Sequence, residues 1–121
     1  MERILILGCK NNMDSACIGC FPCLSAFNGR QGGFATYQNV DIELLGIMNC
    51  GGCPATSVIA RMITLSLWCA SIYEKPTQIY VAPCILKSCP YNDVLTKKVR
   101  TMAGIEVIEG SHPREAKDIF V

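Results

Sequence analysis

The sequence predicts an α/β domain, a four-stranded and mostly parallel sheet with helices on both faces. Three observations predict it. Four short runs of β-type apolar residues alternate with helix-forming segments, as βαβ crossovers require. The first run, Ile4-Leu5-Ile6-Leu7, is apolar throughout, as a strand buried on both faces should be. Cysteines stand where three of the runs stop: Cys9, Cys50 and Cys84. In an open parallel sheet the carboxyl ends of the strands share one edge, and ligands bind in the crevice beyond it.

In order along the chain, strand 3–9 is followed by a Cys-rich loop over 10–23 and a short helix around 23–37. Gly29-Arg30-Gln31-Gly32-Gly33 breaks that helical segment. Strand 41–48 leads into the Cys50–Cys53 turn and a helix over 54–73, where Pro54 suits a first turn because its missing N–H costs nothing there. Val58, Ile59, Met62, Ile63, Leu65, Trp68, Cys69, Ile72 and Tyr73 cover more than one helical stripe. Arg61, Thr64, Ser66 and Ser71 leave only a weak polar face. Deep burial of this helix is expected, with self-association into a homodimer as the second option. Pro76 then stops it. Strand 78–83, loop 84–89, helix 90–102 and strand 105–109 complete the chain. Lys97, Lys98 and Arg100 fall in the later turns of the last helix, at the negative end of its dipole. The expected architecture is a flavodoxin- or Rossmann-like three-layer fold, one domain over residues 1–121.

Composition narrows the function. At 121 residues, half of them apolar and 17% charged, the chain is long enough to bury a core and too hydrophobic to be disordered. A net charge of +1 with no basic stripe argues against nucleic acid and acidic membrane surfaces as partners. The apolar stretch 65–73 is broken by serines and too short to span a bilayer. No secretory leader is visible at the start, so a cytoplasmic location is expected. Nine cysteines in a reducing compartment point to metal or redox chemistry, and an odd number cannot pair completely.

The strongest motif is Cys50-Gly51-Gly52-Cys53-Pro54, between a strand and a helix. Two cysteines two residues apart can bind one metal or cluster edge together, while the glycines permit a sharp turn. A helix starting at Pro54 would aim its positive end at the sulfurs and lower their pKa, and Cys89-Pro90 would repeat the device. The second motif, Cys17-Ile18-Gly19-Cys20-Phe21-Pro22-Cys23, has the double two-residue spacing of ferredoxin-type ligand runs. Cys69, inside an apolar helix, reads as a small hydrophobe. The single histidine, His112, reads equally as a ligand or proton donor and as a surface residue. Lys10 reads as a solvated lysine.

Taken together, these residues resemble the CGGC-domain family, small Cys-rich proteins of bacteria and archaea. The resemblance runs over nearly the whole chain, through Gly8-Cys9, Cys23-Leu24-Ser25-Ala26-Phe27-Asn28, the central Cys50-Gly51-Gly52-Cys53-Pro54, Ala82-Pro83-Cys84, Cys89-Pro90 and the closing Gly104 to His112. It implies metal binding, with Cys9, Cys17, Cys23, Cys50, Cys53, Cys84, Cys89 and His112 as ligands. Cys20 and Cys69 look like additions to the family pattern, and Cys20 leaves open which of Cys17 and Cys20 ligates.

The leading expectation is an iron–sulfur protein with a cluster of the four-iron type or larger. Its ligands would come from Cys9, Cys17, Cys20, Cys23, Cys50, Cys53, Cys84 and Cys89. It would serve electron transfer, redox sensing or cluster delivery, with a redox or cluster-transfer protein as partner. A zinc-binding module is the alternative. A thiol–disulfide oxidoreductase using Cys50 and Cys53 is the third reading, weakened by the further cysteines around the same crevice. Phosphatase-like chemistry is rejected, because no arginine lies in the loops after Cys9, Cys50 or Cys84 and Arg61 stands well inside a helix. Enzymatic activity is left open.

Overall fold

Ile4, Leu5, Ile6 and Leu7 offer no polar face to water, so their strand takes the interior of the sheet. In this computed structural model, which describes residues 2–15, 17–53, 57–71 and 75–110, they form β1 (Glu2–Gly8). β1 lies in parallel register between β2 (Ile42–Asn49) and β3 (Gln78–Val81), and β4 (Glu106–Glu109) pairs with β3 in the same sense. The sheet order is β2-β1-β3-β4, so the chain winds outward in both directions from β1. The switch point of a doubly wound sheet, where ligand crevices open, therefore lies between the ends of β1 and β3.

Successive residues of β1 and β3 feed two separate cores, as period-two alternation demands. Leu5, Leu7, Ile79 and Val81 face α3 (Val58–Ser71) and α5 (Asn92–Ala103), where they pack with Val58, Leu95 and Val99. Ile4, Ile6, Tyr80 and Ala82 face the opposite layer. That layer is built by α2 (Phe21–Gly29) and the 3-10 segment Gly32–Tyr37. Phe34 is fully buried there, with its ring centroid 5.4 Å from Phe27 and 4.6 Å from Tyr80.

One irregularity has a large consequence. Between Ile4 and Leu5 the register with β2 shifts, because Ile4 pairs Leu44 while Leu5 pairs Gly46. The extra residue, Leu45, is a β-bulge, and a one-residue insertion exchanges the faces of everything after it. Ile42 and Leu44 accordingly pack on the α2 side before the bulge and Ile47 after it, while Met48 joins the α3 side. Cys50 follows Met48 by two residues and inherits its side.

Several expectations need correction. The loop over 10–23 contains α1 (Lys10–Ser15) and a 3-10 turn at Ile18–Cys20. The helix expected over 23–37 divides at Arg30, which turns left-handed (φ 52°) and closes α2 by donating its N–H to the carbonyls of Ala26 and Phe27. The loop over 84–89 is mostly α4 (Pro83–Ser88), with Pro83 in its first turn, where proline is pre-organised. Helix 90–102 begins instead at Asn92. The second helix is not deeply buried either. Val58 and Cys69 are covered, but Ile63, Leu67 and Trp68 stand exposed, because a helix lying on one sheet face buries only one side. Among the described residues, no helix is long and apolar enough to cross a membrane.

Burial predicts opposite outcomes for two leucine-class truncations. Ile6→Ala, at a site with no exposure, should lower unfolding free energy by about 2–5 kcal/mol. Leu67→Ala, on the exposed face of α3, should change it by less than about 0.5 kcal/mol. Urea titrations of the two variants under one buffer check both.

Candidate metal centre

Cys9 continues the Leu5–Leu7 row of β1, and Cys50 continues the matching row of β2, so both thiols are buried on the α3 side. The ladder runs on past the strand end, with the Cys50 N–H donating to Gly8 O at 3.1 Å. The chain then turns sharply. Gly51 sits at φ +85°, the left-handed region that favours glycine, with Ser57 Oγ beside it. Its N–H donates to Asn49 Oδ1 at 2.8 Å. Cys53 emerges exposed, with Asn11 Nδ2 donating to its sulfur at 3.6 Å. Cys89, just past α4, lies in the field of Cys9, Cys50 and Cys53. Its thiol is pushed up chiefly by burial, against a lowering contribution from the Tyr91 backbone N–H. The expectation that a helix start lowers the pKa at Cys89-Pro90 is therefore overturned. Desolvation wins, and α5 begins only at Asn92.

The second group lies across the sheet. Cys84, on α4, accepts the Cys9 N–H on its sulfur at 3.1 Å, a bond at the switch point between β1 and β3. Burial raises its thiol from 9.0 to about 11, and the charges of Cys17, Cys23 and Cys9 add to the rise, while the Cys9 N–H opposes it. Cys17 is raised for the same first reason, then by Cys20 and Cys9. Cys17, Cys20, Cys23 and Cys84 line one small cleft on the α2 side with Met13. The cysteines at this edge thus fall to both sides of the sheet, with Cys84 packed against both cores and Cys17 and Cys84 in the field of Cys9. Cys69 is buried in α3, in keeping with a hydrophobic role. His112 and Pro54 lie outside the described residues.

The polar neighbours of the loop were not visible in the sequence. Arg61 donates from Nε to Asn49 O at 3.2 Å. It therefore returns to the Cys50 turn, although it belongs to the helix α3. No signal for this was present in the sequence, because the helix expected from residue 54 places Arg61 beyond its first turn, whereas α3 begins at Val58. Lys10 pairs with Asp14 at 2.7 Å on the surface. Its pKa is raised first by that hydrogen bond and Asp14's charge, with a smaller contribution from Cys50 and opposition from Arg61. Lys10 is thus the solvated lysine expected, although its field reaches the site.

These donors suit a soft, thiophilic metal. None of the nine cysteines is in a disulfide, and thiolates favour zinc, copper(I) and iron–sulfur centres over hard cations. Among the described residues, no three His, Cys, Asp or Glu side chains stand close enough as they are to hold one ion. The cysteines other than Cys69 fit a metal-binding role through their chemistry and their gathering at one sheet edge.

The half-buried thiol of Cys84 makes stability depend on pH. Its folded pKa lies above the ordinary thiol value, so the unfolded chain loses this proton first and stability falls as pH rises from about 9 toward 11. Thermal unfolding of the metal-free protein across that window should show a falling midpoint, and Cys84→Ala should flatten the fall. At pH 8 exposed Cys53 should be alkylated well ahead of Cys84, as peptide mass mapping would show.

The chain resembles an uncharacterized protein of Methanocaldococcus jannaschii, 28% identical over 117 residues that cover 91% of this chain and 86% of the relative. No solved structure matches it. The model of the CGGC domain matches residues 3–112, from the first strand through every cysteine placed above. The chain belongs to the CGGC-domain family.

Proposed function

We propose that the protein carries an iron–sulfur cluster of the four-iron type on Cys9, Cys50, Cys53 and Cys89, at the carboxyl edge of the sheet on its α3 side. One observation carries this reading: Cys9 and Cys50 continue adjacent strands on the same face, and Cys89 lies in the field of Cys9, Cys50 and Cys53. Four thiolates are the ligand complement of such a cluster. The cluster would supply one-electron chemistry at this edge. The protein's own contributions are the tight Gly51 turn that sets the Cys50–Cys53 spacing, burial that keeps Cys9 and Cys50 from water, and the positive charges of Arg61 and Lys10 near an anionic centre. Exposed Cys53 marks the side at which a redox or cluster-transfer protein would approach, and a cytoplasmic setting would keep these thiols reduced.

Zinc is the second reading, because four thiolates also complete a closed structural zinc site. Anaerobic purification with iron, zinc and acid-labile sulfide analysis separates the two. The expected result is a brown protein with iron and sulfide in similar amounts. Stoichiometric zinc without sulfide would transfer the site to the zinc class. Cys50→Ala or Cys53→Ala should remove iron and sulfide, whereas Cys69→Ala should retain both. Loss in the Cys69 variant with retention in the other two would sink the proposed ligand set.

A further inference from the structure

β2 stands at one end of the sheet order, with no strand beyond it among the described residues. Such an edge presents a row of backbone donors and acceptors, which proteins commonly blunt with lysine, proline or a very short strand. β2 has eight residues and neither lysine nor proline. Beside it, α3 lies over β1, because Leu5 borders the helix on both flanks. Between α3 and β2 runs a groove of about 430 Å³, lined by Leu5, Gly46, Met48, Thr64, Leu65 and Trp68. Trp68 is 71% exposed, and Arg61 is the one charged residue within α3. An open strand edge and an apolar helix flank therefore adjoin, and contiguous apolar surface of this kind marks an interaction site.

The charges select the occupant. Exposed Asp41 just precedes β2, and partly exposed Glu43 stands near its start, where Arg3 offsets one of the two charges. Before the bulge Ile42 and Leu44 pack on the α2 side, so Glu43 lies on the α3 side. Arg61 lies on that same side at the other end of the strand, where its Nε reaches Asn49 O. The strand is thus acidic at its start and basic at its end. A copy laid antiparallel sets each end against its opposite, twice over by symmetry, whereas a parallel copy sets like against like.

We propose that β2 pairs antiparallel with β2 of a second copy of this chain, giving a two-fold dimer in which one sheet continues into the next. The axis runs through the sheet, so both copies of α3 stay on one face. β1 and its copy then lie three strand spacings apart, about 14 Å. Two helices above them, each about 10–12 Å across with side chains, leave a gap for large side chains to fill. From Arg61 the helix runs back along β2, and Trp68 lies about 10 Å further on, beside Gly46 and Met48 in mid-strand. Each Trp68 meets its copy near the axis and closes the groove. The bulge at Leu45 interrupts the new ladder, which forms on either side of it. The two cysteine edges point to opposite ends of the dimer.

Sedimentation equilibrium of the full chain tests this with reductant and chelator present, so that neither a disulfide nor a shared metal can join two chains. A dimer at micromolar concentration is expected. A monomer there overturns the proposal, and is the outcome if the edge serves instead an extended segment of another protein. Trp68→Lys, at an exposed position, should raise the dissociation constant about tenfold or more. Glu43→Lys and Arg61→Glu should each weaken the dimer, and their combination should restore it. A dimer unchanged by Trp68→Lys, or a combination weaker than either single change, refutes the arrangement. Hydrogen exchange on the unaltered protein needs no variant. The β2 amides that do not donate to β1 should be protected at high concentration and exchange faster on dilution, and exchange independent of concentration refutes the pairing.

Discussion

The structure depends on β1 being buried on both faces. A central strand whose residues from Ile4 to Leu7 are all apolar must divide them between two layers, and the chain uses that division twice. It supplies the two cores, one beneath α3 and α5 and one beneath α2. Beyond the last residue of the strand it also decides which side each thiol joins. Cys9 is the next member of the Leu5–Leu7 row, and its side is fixed by the same alternation that packs those leucines. The site is therefore an extension of the hydrophobic core into chemistry, without a loop architecture of its own.

The bulge at Leu45 is what makes β2 agree with β1. With regular pairing, the residues after Leu44 would keep the opposite phase, and Cys50 would finish on the α2 side, across the sheet from Cys9. The inserted residue reverses the phase. Met48 and Cys50 then lie beside Leu7 and Cys9. Gly51 completes the arrangement from the other end. Its positive φ and the close approach of Ser57 turn the chain at once, so Cys53 is returned to the edge instead of being carried away. Two backbone devices, neither involving a sulfur atom, place the motif.

Much of the fold was legible because strand runs and helix breakers are local signals. Ile4 to Leu7, the Gly-rich break near Arg30, and Pro76 each announce themselves without knowledge of their partners. The division of the cysteines was not legible, for two reasons. A uniformly apolar run hides its own alternation, and a bulge is visible only against the strand it pairs with. α4 was hidden for a related reason, since Cys84 and Cys89 looked like loop ligands whereas Pro83 starts a helical turn there. The exposed side of α3 shows another limit of pattern. A helix with apolar residues at Ile63, Leu67 and Trp68 has the composition of a buried one, and only the position of the sheet reveals which side is covered.

Electrostatics then explains why so many thiols can share one edge in the absence of metal. Cys17, Cys84 and Cys89 are each pushed upward first by burial and then by the other cysteines. Both effects oppose ionisation and so limit the repulsion among these groups. A bound metal would add positive charge at this edge to that of Lys10, which is paired with Asp14, and of Arg61, which donates to Asn49 O. Each thiol that ligates must release its proton. Exposed Cys53 is the sulfur that an incoming metal meets first, with buried Cys50 and Cys9 behind it.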